Sequence, residues 1–316
     1  MKTQPQKKEG TTIGNGTRAD SWSGIFAIII TPFSDSLELD EEGLRRQVEL
    51  CVEVGVRGVV GPANASEFTT LSDSERRRWL ETAVSAAQGR LPVIASITSG
   101  HELPAVELGR FAEGIGAAGV MSMPPLVLPR EPEGCFRYFE HLSNQLTVPV
   151  IVQNFSAPLG TPMSPELLLR ICRELDGVDY IKEEVAPEPQ RISATLSATG
   201  PACKGIFGGQ GGIFLIDEYL RGAAGNMPGS HNADLLASIW GKLERGAEEE
   251  ARALFERILP LMSYERLYGL AVYKEVLVRR GLISTAKRRI PGPNLDAFDR
   301  RELDRILGEL DSLLKR

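Results

Sequence analysis

The sequence contains few cysteines, and their positions match neither a metal site nor a redox motif. Cys51, Cys135, Cys172 and Cys203 are widely separated, none forms a CxxC pair, and each lies in or beside an apolar run. Such spacing is typical of buried thiols rather than of a disulfide framework or a zinc site. The cysteines therefore predict a protein of the reducing cytoplasm.

Long apolar segments and basic clusters are also lacking. No stretch approaches the roughly 20 apolar residues that a membrane-spanning helix requires, and residues 1–20 have no apolar core like that of a signal peptide. The net charge is −6, the pI is near 5.4, and the basic run at 287–289 is short. Nucleic acid would need a larger basic surface. We expect no membrane or nucleic-acid partner, and a disordered leader over residues 1–20.

Histidine is equally scarce. His101, His141 and His231 are far apart along the chain, and each lies near a predicted helix start or within an amphipathic stretch. Histidines in such settings are ordinary surface or half-buried residues more often than metal ligands. We therefore expect no metal site.

Short apolar runs alternate with longer amphipathic stretches from residue 22 onward, which is typical of repeated βα units and a parallel sheet. The runs begin 20 to 36 residues apart, enough for one helix and two loops each. Eight consecutive units predict an α/β fold of the (β/α)8 TIM-barrel type rather than a doubly wound open sheet. The eight runs are residues 25–30, 56–61, 92–97, 119–123, 149–153, 179–182, 203–207 and 223–227.

Helix-start signals mark the register of these units. Asp40 precedes an acidic first turn, Ser72 and Glu75 form a capping-box pattern, and Ser164 is followed by a proline. After the eighth run the alternation stops and helical patterns continue to the end, broken at residues 290–293. We predict a barrel over 21–230 and a C-terminal extension of about three helices over 231–316, packed on the barrel.

A lysine lies near the end of the sixth predicted strand, where charge is normally excluded. The segment 177–184 reads Gly-Val-Asp-Tyr-Ile-Lys-Glu-Glu and contains Lys182. An ammonium removed from water is driven toward the neutral amine, which is the nucleophile for a Schiff base with a carbonyl substrate. Alternatively, Lys182 lies beyond the strand and pairs with Glu183, Glu184 or solvent.

Other candidate residues stand where strands end, because barrel enzymes place their chemistry at that face. The small-residue loop after strand two could hold a carboxylate with its backbone N–H groups, or it could be a tight turn. Residues 208–212, after strand seven, could hold a phosphate at a helix N-terminus, or form a glycine-rich turn. The strand-end candidates are Asn64, Ala65, Ser66, Gln153, Asn154 and Met227.

These positions carry a resemblance to a known family. Thr-Pro-Phe at 31–33, Glu67 and Leu71, the prolines at 124 and 125, Asn154 and Ile-Lys-Glu at 181–183 resemble the dihydrodipicolinate synthase and N-acetylneuraminate lyase family, from about residue 24 onward. The resemblance implies a (β/α)8 barrel with a helical extension, usually tetrameric. It also implies that the substrate is pyruvate or a related 2-oxo acid, joined to Lys182 as a covalent imine without any separate cofactor.

Several positions depart from the family pattern and argue against dihydrodipicolinate synthase itself. Gln153 stands where the synthase has a proton-relaying tyrosine, and an amide has no usable pKa for acid–base work. The synthase's carboxylate-binding arginine falls on or near Pro158. Its paired threonines and its strand-four tyrosines fall on Asn64, Ala65, Leu126 and Val127.

A different branch of the family is more similar. Segments 152–158, 259–265 and 269–274 resemble the 2-keto-3-deoxy-sugar-acid dehydratases of the 2-keto-3-deoxy-L-arabonate type, which also carry glutamine at this position. This resemblance implies a lyase acting by dehydration or by aldol cleavage. Two other interpretations stay open: a non-catalytic 2-oxo-acid sensor or structural paralogue, and a phosphate-binding barrel that uses residues 208–212.

The imine mechanism assigns roles to the candidate residues. Glu184 lies two residues after Lys182, so both side chains should face the barrel interior, where Glu184 is either the general base or only an ion-pair partner. The resemblance implies that Ala65 and Ser66 hold the substrate carboxylate and that the Met227 main chain flanks the imine nitrogen. Hydrogen-bond donation is the role expected of Asn64, Gln153 and Asn154.

Overall fold

A computed structural model describes residues 21–125, 131–156 and 159–315 as a closed parallel barrel. Each strand pairs with its sequence neighbours, and β8 pairs with β1 to close the sheet. The predicted (β/α)8 architecture is confirmed, and every predicted run overlaps a strand. The strands are β1 (Gly24–Ile28), β2 (Gly58–Gly61), β3 (Val93–Ser96), β4 (Gly119–Ser122), β5 (Val150–Phe155), β6 (Val178–Glu184), β7 (Gly205–Gly208) and β8 (Gly225–Asn226).

Helices surround the barrel, and the three helices for which the sequence contains a start signal begin where that signal predicts. The Asp40 side chain accepts from the Gly43 N–H, Ser72 and Glu75 form a complete capping box, and Ser164 caps the fifth helix. These caps satisfy backbone N–H groups that a helix leaves unpaired. The ring helices are α1 (Glu41–Glu53), α2 (Asp73–Ala87), α3 (Glu102–Gly114), α4 (Pro132–Gln145), α5 (Pro165–Glu174), α6 (Glu188–Thr199), α7 (Leu215–Leu220) and α8 (Ala233–Glu244).

Three further helices follow the ring. They are α9 (Glu248–Tyr268), α10 (Leu270–Arg279) and α11 (Ala297–Leu310), and the predicted break at 290–293 falls between the last two. Helix α8 packs on β1 as the eighth helix of the ring, so the extension begins with α9 and not at residue 231 as predicted. Helical periodicity alone does not distinguish these two assignments. The predicted leader, residues 1–20, lies outside the described residues.

Apolar side chains fill the inside of the barrel. Phe26 and Phe207 meet edge to face with ring centroids 5.2 Å apart, and Val60, Ile94 and Ile151 belong to the same cluster. A second, larger cluster lies between the strands and the ring helices. The interior below the strand ends is therefore solid, which leaves the carboxyl-end face as the place for a ligand. Within the described part of the chain, no helix has the length and apolar character needed to cross a bilayer.

A buried ion pair attaches the extension to the barrel. Lys274 of α10 contacts Glu67 of the loop after β2, and both side chains are fully buried. The second carboxylate oxygen of Glu67 accepts the N–H groups of Arg289 and Ile290, each at 2.7 Å, and the Lys274 amine also donates to the Lys287 carbonyl. Burial lowers the pKa of Lys274 to about 8. The pair is stable because nearly every polar atom in it is satisfied.

Removing one partner should destabilise the fold strongly. We expect Lys274→Met to lower the free energy of unfolding by about 3–5 kcal/mol, because Glu67 would remain buried without its counter-charge. Urea denaturation measures this change. The matched control is Arg252→Met, which removes an exposed α9 ion pair with Glu248 and should change little. Equal effects of the two substitutions would contradict the structural role of the buried pair.

Candidate active site

The register of β5 and β6 determines which side chains face the barrel interior. Gln153 lies opposite Lys182, and Asn154 lies opposite Glu183. Since successive strand residues point to opposite faces, Lys182 and Glu184 share one face and Glu183 takes the other. The side-chain contacts follow this alternation, as expected from the sequence. The sixth strand ends at Glu184, so Lys182 lies within the strand rather than beyond it.

Lys182, Glu184 and Gln153 form a buried polar group at the strand ends. The Lys182 amine lies 3.1 Å from Oε2 of Glu184, and the two residues are only 4% and 5% exposed. The same oxygen accepts a hydrogen bond of 2.8 Å from the Gln153 amide, and the Gln210 N–H donates to the other oxygen at 3.3 Å. The amine therefore has an adjacent proton acceptor whose orientation is fixed.

A pocket of about 210 Å³ opens beside this group at the carboxyl ends of the strands. It is smaller than the roughly 300 Å³ at which drug-sized ligand sites begin, and so fits a small metabolite. Asn64, Ala65 and Met227 line it together with Lys182 and Glu184. Neither polar atom of the Asn64 amide has a hydrogen-bond partner within the described ranges, so this side chain is available to a ligand.

Two predicted ligand residues turn away from the pocket. The Ser66 hydroxyl donates to the Ile29 carbonyl at 2.6 Å, and its N–H donates to the Ala63 carbonyl at 2.9 Å. The Asn154 amide donates to Glu183 and accepts from the Met163 N–H on the outer side of the sheet. Both side chains hold neighbouring backbone in place. The sequence predicts that Ser66 contacts the substrate carboxylate and that Asn154 contacts the substrate. In the structure both side chains instead stabilise neighbouring parts of the fold.

The glycine-rich loop after β7 makes room for buried carboxyl groups. A methyl group at Gly209 would lie 2.2 Å from Oε1 of Glu184, and one at Gly208 would lie 1.9 Å from Oε2 of Glu218. Side chains at these positions would displace both acids. The Glu184 carboxylate beside the loop also opposes phosphate electrostatically. The loop is thus explained by packing, and the phosphate-binding alternative loses its basis.

The C-terminal extension contributes a wall of the pocket that the sequence does not reveal. Met262, Glu265 and Arg266 of α9 and Tyr273 of α10 all line it. His231, expected to be a surface or half-buried residue, is fully buried beside Glu265. The similarity of segments 259–265 and 269–274 to dehydratases is the sequence feature that points to these pocket residues. Among the described residues, no cluster of three or more potential ligand side chains could hold a metal ion.

Fold and site together define the class of protein. A closed (β/α)8 barrel with a buried amine and carboxylate at the carboxyl ends of its strands is a barrel enzyme, since catalytic groups in this fold stand at that face. The particular family follows from comparison with known proteins. The chain belongs to the dihydrodipicolinate synthetase family, whose family model matches residues 21–310.

Individual relatives cover most of the chain. An L-2-keto-3-deoxyarabonate dehydratase from Azospirillum brasilense is 32% identical over 299 residues, covering 93% of this chain and 96% of that protein. A 4-hydroxy-tetrahydrodipicolinate synthase from Methanopyrus kandleri is 35% identical over 75% of this chain and 79% of its own length. The crystal structure of a dihydrodipicolinate synthase from Rhodopseudomonas palustris superposes with a TM-score of 0.84 at 31% identity, covering 92% of this chain and 98% of that one.

A second buried acid lies behind the pocket and should make stability depend on pH. Burial raises the pKa of Glu218 to about 8, although Asn226 donates to its carboxyl group at 2.7 Å. Between about pH 5 and 8 the folded protein therefore keeps a proton that the unfolded chain releases. Stability falls as pH rises through this range, by up to about 1.4 kcal/mol per pH unit.

The variant Glu218→Gln is neutral at every pH and should remove this loss of stability at higher pH. We expect the free energy of unfolding of the variant, relative to the unmodified protein, to increase steadily from pH 5 to pH 8 in urea titrations. Glu53→Gln, at an exposed position of α1, should give a difference that is flat with pH. A flat difference for Glu218→Gln as well would show that Glu218 does not retain the proton.

Proposed function

We propose that this chain is a lyase that dehydrates a 2-oxo-3-deoxy acid through an imine on Lys182. The observation that carries the proposal is the buried Lys182 amine 3.1 Å from the Glu184 carboxylate, inside a pocket of metabolite size. A buried amine with an adjacent base is an activated nucleophile for carbonyl carbon. The covalent imine then serves as the electron acceptor, so the reaction uses no separate cofactor.

Imine formation begins with a proton transfer within the pair. Glu184 accepts a proton from the Lys182 ammonium, and the neutral amine attacks C2 of the substrate ketone. The resulting carbinolamine loses its hydroxyl group as water after Glu184 returns the proton, which leaves a protonated imine. The Gln153 amide holds the carboxylate in place through its 2.8 Å hydrogen bond.

Dehydration follows because the protonated imine makes the C3 hydrogens acidic. Glu184 removes one C3 proton, and the C–H electron pair forms an enamine with the imine nitrogen. The enamine then expels the C4 hydroxyl group, which leaves with the C4–O electron pair and takes the proton from Glu184 as water. Hydrolysis of the remaining imine releases the product and restores Lys182, so the net change is the loss of one water.

The loop after β2 and the end of β8 orient the substrate. The unpartnered Asn64 amide and the backbone beside Ala65 line the pocket and supply donors for the substrate carboxylate, in place of Ser66. Met227 lines the pocket at the end of β8, and its backbone N–H is already bonded to the Gly208 carbonyl at 3.0 Å. Its backbone is thus held beside the imine by this hydrogen bond.

Dehydration is favoured over aldol cleavage by residues around the amine. Aldol cleavage would break C3–C4 and take a proton from the C4 hydroxyl, a task for which the family tyrosine is replaced by Gln153. The Glu184 carboxylate lies beside the amine instead, within reach of a C3 proton. The dehydratase from Azospirillum brasilense matches this chain over nearly its whole length, which includes α9 and α10.

We also propose that the enzyme is a cytoplasmic homo-oligomer, a dimer or tetramer. Leu267 of α9 and Phe298 of α11 are 66% and 71% exposed, and the two helices pack together. Large apolar side chains exposed on adjacent helices are typical of subunit contacts, which sedimentation velocity measures directly. None of the four cysteines, all of which lie in the described ranges, is in a disulfide, and this fits a reducing compartment.

Borohydride trapping tests the imine. We expect pyruvate and 2-keto-3-deoxy-L-arabonate each to leave a reduced adduct on Lys182, located by peptide mass spectrometry, because reduction makes the imine permanent. Lys182→Met should abolish the adduct, whereas Lys242→Met, on the outer surface of α8, should retain it. An unmodified Lys182 after reduction with both acids would refute the imine. An adduct without turnover of any 2-keto-3-deoxy acid would favour the sensor.

A second substitution tests the acid–base role of Glu184. Glu184→Gln should lower kcat for dehydration by about 10²- to 10⁴-fold, because an amide cannot carry the proton from C3. The acidic limb of the pH profile of kcat should disappear in the residual activity, a change that a purely structural role would not produce. Glu174→Gln, on the exposed end of α5, is the control. An unchanged pH profile would assign proton transfer to another group.

A further inference from the structure

The pocket has a polar wall that the imine mechanism does not use. Glu265 of α9 and Tyr273 of α10 approach it from the C-terminal extension. A methyl group placed on Gly211 would lie 3.5 Å from both Oε2 of Glu265 and the hydroxyl of Tyr273. The two polar atoms therefore border the same part of the pocket, next to a glycine whose lack of a side chain leaves that space open.

Buried neighbours hold these two side chains as one unit. Oε1 of Glu265 accepts a 3.0 Å hydrogen bond from the Asn232 amide and lies 2.8 Å from Nε2 of His231. The His231 ring stacks on the Tyr273 ring with centroids 4.1 Å apart and planes 17° from parallel. With Oε1 occupied in this way, Oε2 remains on the side of Gly211 and the pocket. Such rigid support is what a selective binding site requires.

The surrounding charges indicate what kind of group this wall accepts. Burial, reinforced by the charges of Glu265 and Glu184, raises the pKa of Tyr273, so its hydroxyl remains a donor at neutral pH. A carboxylate acceptor beside a phenol donor matches a hydroxyl group, which both gives and takes a hydrogen bond. A second carboxylate or a phosphate would instead lie against the Glu265 carboxylate and be repelled.

Arg266 at the pocket rim does not reverse this preference. Its guanidinium donates to the Gln210 side chain at 2.9 Å, and the residue is exposed to solvent. An exposed, already bonded arginine attracts an anion weakly because water screens its charge. Glu265, in contrast, is only 5% exposed and acts in a less polar environment.

We propose that Glu265 and Tyr273 form the specificity site for the end of the substrate remote from the ketone, and that they bind a hydroxyl group there. The inference rests on the proposed function and narrows its substrate class to hydroxylated 2-oxo-3-deoxy monoacids whose distal end is uncharged. Lys182 performs the chemistry on C2, and the extension selects the chain attached to it. These two residues bind the substrate and take no part in bond breaking.

Trapping with acids of different length and charge tests this site in the full-length protein. The concentrations that give half-maximal borohydride adduct are measured for pyruvate, which has no hydroxyl group at its distal end, for 2-keto-3-deoxy-L-arabonate, and for the diacid 2-oxoglutarate. In Glu265→Gln the half-maximal concentration of 2-keto-3-deoxy-L-arabonate, divided by that of pyruvate, should rise about tenfold. This is the change expected for losing one hydrogen bond to a charged group. Tyr273→Phe should raise the ratio about fivefold.

Matched controls lie on α9 but outside the pocket. Glu256→Gln is exposed on α9, and Tyr268→Phe removes a hydroxyl that bonds Asp299 instead. Both should leave the ratio unchanged, which separates loss of the specificity site from general damage to α9. Gln at position 265 can still accept from Asn232, so the local packing is retained.

The possible failures are distinguishable. If the unmodified protein traps pyruvate and the arabonate but the ratio is unaltered in Glu265→Gln and Tyr273→Phe, the specificity site is refuted while the imine stands. Tighter trapping of 2-oxoglutarate than of the arabonate would also refute it, because the wall would then accept a second carboxylate. Trapping of none of the three acids would overturn the proposed function and this inference together.

Discussion

The buried ion pair between Lys274 and Glu67 is the constraint on which the shape of the site depends. Two charges taken out of water destabilise a fold unless each is fully compensated, and here backbone N–H groups and a carbonyl complete the compensation. Glu67 follows the loop that carries Asn64, and Lys274 follows Tyr273 directly. One interaction therefore fixes two parts of the pocket wall relative to each other, although they are about 200 residues apart in sequence.

Within that frame, the barrel determines the geometry of the reacting groups. A closed parallel sheet brings the ends of β5 and β6 side by side, and strand alternation places Gln153, Lys182 and Glu184 on the inner face. Gln153 cannot act as an acid or base. The carboxylate of Glu184, two residues after Lys182, lies beside the lysine amine. The glycines at 208 and 209 are needed because any side chain there would displace the buried acids.

Strand-based features of this protein could be predicted from the sequence, and features that depend on helix packing could not. The eight runs and the shared face of Lys182 and Glu184 follow from chain order and a period of two. Helical periodicity shows that one face of α9 is buried but not what covers it, so Glu265 escaped prediction. The sequence predicts the loop that carries Ser66 and the strand that carries Asn154. The direction of each side chain depends on partners distant in sequence, such as Ile29 and Glu183.

In the proposed function, chemistry and selectivity are located in different parts of the chain. The amine and its carboxylate belong to a single strand whose position the closed sheet fixes. The proposed specificity site, Glu265 and Tyr273, belongs to helices outside the sheet. A substitution at either residue changes the surface that meets the ligand without moving Lys182. Such a division explains how one imine-forming barrel can serve acids of different length and charge: the extension can change its specificity while the strand ends keep their reaction.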